Sequence, residues 1–189
     1  MDRTTMEGAC ASTERIIEAV RPAHLSNPTP CTDWDVRSLL NHVTGTLHLG
    51  AALLSDSMPA VNMGPGELPD TDLLGGDPAK SYRLGVEALL AAAAGDALER
   101  THSTPLGEMP GVVLGGFTTL DILVHGWDLA KATGQDATLP ADLAETVLGF
   151  AHQTLSADDS RGTRIGPPVA VGSDADATAR LVGYLGRQP

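Results

Sequence analysis

Apolar residues recur at spacings of three and four along most of this chain, which is the pattern of amphipathic helices. The first stretch predicts a helix over about residues 5–20. A second stretch follows Pro28-Thr29-Pro30, which forces an extended approach. There Thr32 and Asp35 have the spacing of a capping box, so we expect the second helix to begin at these residues and to continue to about Asp56.

Three further apolar stretches complete the predicted helices. They are expected over about residues 77–100, 115–133 and 139–155, with a short closing helix over 176–185. Gly134 has the position of a glycine that ends a helix. Residues 58–78 and 101–116 contain too many prolines and glycines for a regular element, so both are predicted to be loops. The first is long enough to be a crossover.

These elements predict an all-α fold. It is a four-helix bundle with a short C-terminal addition, made of the closing helix and an extended arm at residues 166–171. A chain of 189 residues is long enough to bury a core of its own, and we expect one domain over 1–189. Only 3% of the residues are aromatic, which suits helices that pack through alanine, leucine and valine.

The charge of the chain restricts its partners. The net charge is −12, so the overall field repels nucleic acid and anionic membrane surfaces, and neither is expected as a partner. The N-terminus has no basic segment followed by an apolar run, and no stretch approaches about eighteen uninterrupted apolar residues. We therefore expect a cytoplasmic protein.

A candidate metal site is the most specific chemical signal in the sequence. Asp121 and His125 are four residues apart, so a helix places them on one face. His42 lies near the middle of the second predicted helix, at a similar height in a bundle. Two imidazoles and a carboxylate suit zinc with an open fourth position, or another divalent metal. The alternative is that Asp121 and His125 are only a surface charge pair.

Asp128 and the two cysteines have less specific interpretations. Asp128 is one heptad after Asp121, so it either accepts a hydrogen bond from the imidazole of a metal-ligating histidine or is a simple carboxylate on the helix face. Cys10 and Cys31 form neither a disulfide framework nor a CxxC zinc spacing, and we interpret both as reduced, partly buried thiols. Cys31 is the more interesting of the two because it precedes a helix start, where the helix dipole favours a thiolate.

Four segments together resemble a known family. They are PTPCTDWDVRSLLNHV at residues 28–43, TPLGEMPG at 104–111, LVHGWDLA at 123–130 and the Pro167-Pro168-Val169 arm. The chain resembles the DinB-like metalloproteins, in the actinobacterial branch related to the N-terminal domain of mycothiol-dependent maleylpyruvate isomerase. The resemblance covers most of the chain and implies a four-helix bundle.

The resemblance also implies the ligand set. In that family one histidine of the second helix and an acidic-x-x-x-His pair of a later helix hold the metal, and these positions match His42, Asp121 and His125. The resemblance implies zinc as the default metal, with nickel, iron or cobalt as alternatives. The acidic ligand of the isomerase is glutamate, whereas this chain has the shorter Asp121. The isomerase also carries a separate C-terminal domain, so we expect fold and site chemistry to transfer better than substrate.

Two functions follow from these expectations. The first is a metal-dependent enzyme, a transferase or isomerase that activates a thiol, mycothiol above all, or water for reaction with an electrophilic small molecule. Residues 109–116 and 58–78 are then candidates for a lid over the site. The second is a non-catalytic protein that binds a metal or a small molecule. The remaining alternative is a purely helical interaction module, which would hold no metal. Related bundles often pair through a helix face, so a homodimer is an expectation by analogy.

Overall fold

The fold is known from a computed structural model that describes residues 1–57, 62–64, 66–105, 107–155 and 165–189. The described residues form six α-helices and one two-stranded sheet. They separate into two compact units, 1–137 and 138–189, and each is described by itself below. The expectation of one domain over the whole chain stays a prediction.

The first unit is a bundle of four helices. They are α1 (Arg3–Glu18), α2 (Val36–Leu54), α3 (Pro78–Ala92) and α4 (Gly111–Thr133), with a 3₁₀ turn at Pro22–His24 after α1. Helices α1 and α2 each pack against both α3 and α4, so the four helices enclose one core. The predicted all-α class and the four-helix bundle are confirmed.

Aliphatic side chains fill this core, as the helical periodicity predicts. The side chains that are at most 1% exposed include Met6, Leu39, Leu40, Leu47, Leu54, Leu74, Leu89, Ile122 and Leu129. Tyr82 is the large aromatic residue among them, and its hydroxyl donates to the carbonyl of Cys10 (3.1 Å). The polar end of the ring thus has a partner inside the core, which removes the cost of burying it.

Aspartates begin three of the bundle helices. Asp2 and Asp77 accept from the backbone N–H groups of Thr5 and Lys80. Asp35 does the same for α2, accepting from Ser38 N at 2.8 Å. The predicted capping box that began at Thr32 is therefore wrong, because Asp35 is itself the N-cap and α2 begins one residue later.

A β-hairpin replaces the loop predicted over 101–116. Helix α3 ends at Ala92 instead of near Arg100, and strand β1 (Thr101–Thr104) then pairs antiparallel with β2 (Gly107–Pro110). Helix α4 starts at Gly111, four residues before the predicted start, and the N–H of Gly111 donates to the carbonyl of Arg100. Residues 109–116 thus belong to β2 and α4, and the prediction that they form a flexible lid is wrong.

The described part of segment 58–78 lies along α2. Asn41 holds it with two hydrogen bonds, donating to the carbonyl of Thr71 (2.9 Å) and accepting from the N–H of Leu73 (2.8 Å). The segment passes so close to Gly45 that a Cβ atom there would lie 2.5 Å from Sδ of Met63. Residues 58–61 and 65, part of the predicted crossover and lid, lie outside the described residues.

The second unit contains α5 (Ala141–Thr154) and α6 (Ala177–Tyr184), which pack against each other. Thr178 Oγ1 accepts from the N–H of Leu139, which ties the start of α6 to the approach to α5. The predicted arm is irregular backbone, and the N–H of Val169 donates to the carbonyl of Gly183 at 2.8 Å. Both helices match the predicted spans, 139–155 and 176–185, within two residues at each end.

Among the described helices, none combines the length and the apolar character that crossing a bilayer requires.

Candidate metal centre

The structure brings His42, Asp121 and His125 together between α2 and α4. Nε2 of His42 lies 3.2 Å from Oδ2 of Asp121, and Nε2 of His125 lies 3.5 Å from Oδ1 of the same carboxylate. The two imidazole rings are nearly perpendicular, with centroids 4.9 Å apart. Both histidines thus present the same ring nitrogen to one carboxylate.

The three side chains differ in burial. His42 has no exposed surface and His125 is 8% exposed, whereas the side chain of Asp121 is 24% exposed. The carboxylate is therefore the part of the cluster that solvent reaches. A small molecule would approach the cluster from the side of Asp121.

Each imidazole is anchored through its other nitrogen. His42 Nδ1 donates to the carbonyl of Glu67 at 2.6 Å, so the segment packed on α2 fixes the orientation of this ring. His125 Nδ1 donates to Oδ2 of Asp128 at 2.9 Å, and Asp128 is completely buried. Because Nδ1 of each ring is held as a donor, loss of the Nε2 proton to a cation would leave the tautomer that a metal ligand needs.

Charge within the cluster shifts the pKa of two groups. Burial by itself raises the pKa of Asp121, but His42 and His125 outweigh this effect and hold it well below its usual value. For His125, burial lowers the pKa, but Asp121 and the hydrogen bonds to Asp121, Asp128 and Cys31 raise it well above its usual value. Thr46 Oγ1 also donates to Oδ2 of Asp121 at 2.9 Å, which further favours the ionised carboxylate.

The donor set fits a small divalent cation. Metal–nitrogen and metal–oxygen bonds of about 2.0–2.2 Å at tetrahedral angles separate neighbouring ligand atoms by about 3.4 Å. The two nitrogen–oxygen distances at Asp121, 3.2 and 3.5 Å, are close to this value. All three residues offer donor atoms within 4.8 Å of one another. Their role as metal ligands stays a prediction, and the geometry is compatible with it.

Trp34 forms one wall of the cluster. Its ring centroid lies 4.6 Å from that of His42 and 6.1 Å from that of His125. Trp34 is in a turn before α2 that is closed by a backbone bridge between Pro28 and Asp35. Trp34 is partly exposed, and its ring packs at a tilt against both histidines.

Cys31, like Thr46 and the carbonyl of Glu67, is a part of this region that sequence reasoning missed. Its thiol donates to Oδ2 of Asp128 (3.3 Å), and Sγ lies 3.7 Å from Nδ1 of His125. Asp128 therefore accepts from the His125 imidazole, which is one of the two roles considered from its heptad spacing. It also accepts from the Cys31 thiol. The position of Cys31 before a helix start was the one signal in the sequence, and it gave no information about a partner 97 positions away.

Comparison with known proteins places the chain in a family. Residues 6–130 match the N-terminal domain of mycothiol maleylpyruvate isomerase. The chain belongs to this family. The span contains all the residues of the cluster, from Cys31 to Asp128, and it ends before the second compact unit begins. The resemblance in the sequence is confirmed.

Two curated proteins of Mycobacterium tuberculosis, from strains CDC 1551 / Oshkosh and ATCC 25618 / H37Rv, are similar to this chain. Each is 34% identical over 138 residues, which cover 72% of this chain and 70% of the relative, and each is described as an uncharacterized protein. No solved structure matches the chain. The isomerase-domain family is therefore the firm result of the comparisons.

Proposed function

We propose that this protein is a metal-dependent enzyme that activates a small-molecule thiol, with mycothiol as the first candidate. The activated thiol would be transferred to an electrophilic small molecule or would promote the isomerisation of that molecule. The observation that carries the proposal is the convergence of His42 Nε2, Asp121 and His125 Nε2, with each imidazole anchored through Nδ1. Membership of the mycothiol maleylpyruvate isomerase N-terminal domain family supports the choice of thiol.

The residues of the cluster and their hydrogen-bond partners have different roles in this proposal. His42, Asp121 and His125 would hold a divalent cation, with zinc as the default and nickel, iron or cobalt as alternatives. The bound cation supplies Lewis acidity, which stabilises the anionic form of a thiol or of water at neutral pH. Glu67 and Asp128 keep the two rings oriented, and Thr46 keeps the carboxylate in place.

The surroundings of the cluster favour a small, partly apolar substrate. Trp34 covers the face of His42, so its indole excludes water from that side and offers a surface for stacking. Asp121 faces the accessible side, where the thiol and its electrophilic partner would enter. The acidic character of the chain favours neutral or cationic parts of a substrate over additional phosphate groups.

The first test is metal content. Protein purified without a metal-binding tag is analysed for elements before and after reconstitution with zinc, nickel, iron and cobalt. We expect about one equivalent of metal in the wild type and in Asp96→Ala, whose side chain is 81% exposed, and its loss in Asp121→Ala. No metal in the wild type after reconstitution would contradict the proposal.

The second test separates an enzyme from a non-catalytic binder. Mycothiol is added to the cobalt-loaded protein, and the visible spectrum is followed because the spectrum changes when a sulfur ligand enters the coordination sphere. Turnover is then measured with mycothiol and a panel of electrophiles. Retention of one metal with neither a spectral change nor turnover would favour the alternative, a non-catalytic metal-binding protein.

A further inference from the structure

A sulfur, a nitrogen and an oxygen donor atom meet at Nδ1 of His125, whereas the first cluster uses Nε2 of the same ring. Sγ of Cys31 lies 3.7 Å from Nδ1 of His125 and 3.3 Å from Oδ2 of Asp128, and Nδ1 and Oδ2 are 2.9 Å apart. We propose that Cys31, His125 and Asp128 form a second cation site, selective for a thiophilic ion such as Cd²⁺, Zn²⁺ or Cu⁺.

The distances fit such an ion. Metal–sulfur bonds of about 2.3 Å, with metal–nitrogen and metal–oxygen bonds of about 2.0–2.2 Å, place tetrahedral ligand atoms about 3.4–3.6 Å apart. The two distances from sulfur, 3.7 and 3.3 Å, are near these values. The distance of 2.9 Å between Nδ1 and Oδ2 is shorter because a proton holds these atoms together, and it has to widen when a cation replaces the proton.

The chemistry of the donors sets the selectivity. A thiolate is a soft ligand that favours Cu⁺, Zn²⁺ and their heavier relatives over Mg²⁺ or Ca²⁺. Binding displaces the thiol proton of Cys31 and the Nδ1 proton of His125 to solvent, so the ligand set carries the two negative charges of Cys31 and Asp128. These charges neutralise a divalent cation inside a buried environment.

The local fold holds Cys31 in place and leaves it accessible. Thr29 Oγ1 accepts from the N–H of Cys31 (3.1 Å) and donates to the carbonyl of Trp34 (2.7 Å), which fixes the turn that carries the thiol. His125 and Asp128 are buried, whereas Cys31 is partly exposed. An ion would therefore enter from the side of Cys31.

The second site is separate from the first but coupled to it. It uses Nδ1 of His125, whereas the first site uses Nε2 and also needs His42. The inference does not rest on the proposed function, because loss of His42 removes the first site and leaves the second intact. An ion on Nδ1 removes the proton that orients the ring, so it changes the affinity of the first site, and the reverse effect must be equal.

Titration with Cd²⁺ alone under anaerobic conditions tests the proposal, since Cd²⁺ bound to a thiolate has an ultraviolet charge-transfer band that histidine and carboxylate ligands do not produce. We expect this band in the wild type, in His42→Ala and in Cys10→Ala, and its loss in Cys31→Ser. Asp128→Asn should lower Cd²⁺ affinity by more than the roughly 10–100-fold that loss of an outer hydrogen-bond partner costs.

A second measurement does not depend on a variant at Cys31. Saturating Cd²⁺ should slow the alkylation of Cys31 by iodoacetamide about tenfold or more in the wild type and in His42→Ala, as mapped by mass spectrometry. Two results would overturn the inference. One is a folded wild type that shows neither the band nor protection, and the other is a band that survives in a folded Cys31→Ser variant.

Discussion

Nε2 of His42 lies 3.2 Å from Oδ2 of Asp121, although 79 positions separate the two residues in the chain. The contact exists because α2 and α4 are neighbours in the bundle. Each partner is held by a hydrogen bond from outside the pair, His42 to the carbonyl of Glu67 and Asp121 to the hydroxyl of Thr46. The cluster is therefore held in place by the protein itself, which would lower the entropic cost of binding an ion there.

Thr46→Val tests the anchor of the carboxylate. The valine keeps the shape of the side chain but cannot donate to Asp121, so the carboxylate becomes free to rotate. We expect zinc affinity to fall about tenfold, at the low end of the loss for an outer partner, as measured by isothermal titration calorimetry. Thr44→Val is the control because its hydroxyl donates to Leu40 of the same helix. Equal affinities of the two variants would contradict the anchoring role.

Asp128→Asn tests the anchor of His125. The amide keeps an oxygen that can accept from Nδ1 but removes the negative charge, so the hydrogen bond weakens and Nε2 becomes less basic. We expect zinc affinity at the first site to fall about 10–100-fold, as followed by competition with a chelator. Asp142→Asn, an exposed carboxylate in the first turn of α5, should change the affinity little. An unchanged affinity in Asp128→Asn would show that the negative charge of Asp128 does not contribute to metal binding at the first site.

Trp34 should report ion binding through its fluorescence. Its ring is 4.6 Å from the ring of His42, and Trp127 is the second tryptophan of the chain. Paramagnetic Ni²⁺ at the first site should quench Trp34 strongly because quenching weakens steeply with distance. The larger part of the quenching should disappear in Trp34→Phe and remain in Trp127→Phe. The opposite result would place the ion away from His42.

Gly126→Ala tests the close approach of α1 and α4 beside the site. A Cβ atom at Gly126 would clash with Oγ1 of Thr13, whose hydroxyl donates to the carbonyl of Ile122. We expect unfolding in urea to show a loss of about 1–3 kcal/mol, the usual cost of overpacking. Gly149→Ala in α5 is the control, since nothing lies within 4 Å of the added Cβ.

A double variant identifies the cause of that loss. Thr13→Ala removes the atom that the new methyl group meets first, so Gly126→Ala should cost less free energy in the Thr13→Ala background than in the wild type. Strictly additive losses would mean that Gly126 is required for another reason than this contact.

Asp56→Asn should lower the free energy of unfolding more at neutral pH than in acid. Hydrogen bonds from Arg100 and then from His102 hold the pKa of Asp56 below its usual value. A lowered folded-state pKa means that the stabilisation is complete above the unfolded-state value of about 3.9 and is lost as the pH falls through the folded-state pKa. The difference in free energy of unfolding between the wild type and the variant should therefore be larger at pH 7 than at pH 3.

The backbone at Asp56 makes asparagine the suitable substitution. Asp56 has a φ of 51°, a left-handed conformation that asparagine tolerates well, so the variant removes the charge and keeps the turn. Asp96→Asn is the control because its longer, more exposed pair with Arg100 contributes little. A pH-independent difference for Asp56→Asn would show that the charge is not responsible.

The sequence by itself determined the elements of the fold and half of the site. Helical periodicity is a local property, so α1, α2, α4, α5 and α6 were predicted within a few residues of their bounds. The spacing of Asp121 and His125 placed them on one helix face for the same reason. The prediction that His42 lies beside them rested only on its similar height in a bundle and on the family resemblance.

The local pattern of apolar and polar residues did not predict every element of the secondary structure correctly. The hairpin over Thr101–Pro110 was predicted as a loop because its strands are four residues each, too short for an alternating pattern, and contain breakers. Helix α3 ends at Ala92, and the left-handed Gly95 follows three residues later, but one isolated glycine after an alanine run does not by itself predict a helix end.

Only the tertiary structure decided which distant groups meet. The contacts of Cys31 with His125 and Asp128 span 94 and 97 positions, and no spacing rule reaches that far. The same holds for the carbonyl of Glu67 at His42, since a backbone carbonyl has no sequence signature. Periodicity specifies which face of a helix is apolar, whereas the packing of α2 against α4 and the path of the turn at Pro28–Asp35 specify what that face meets.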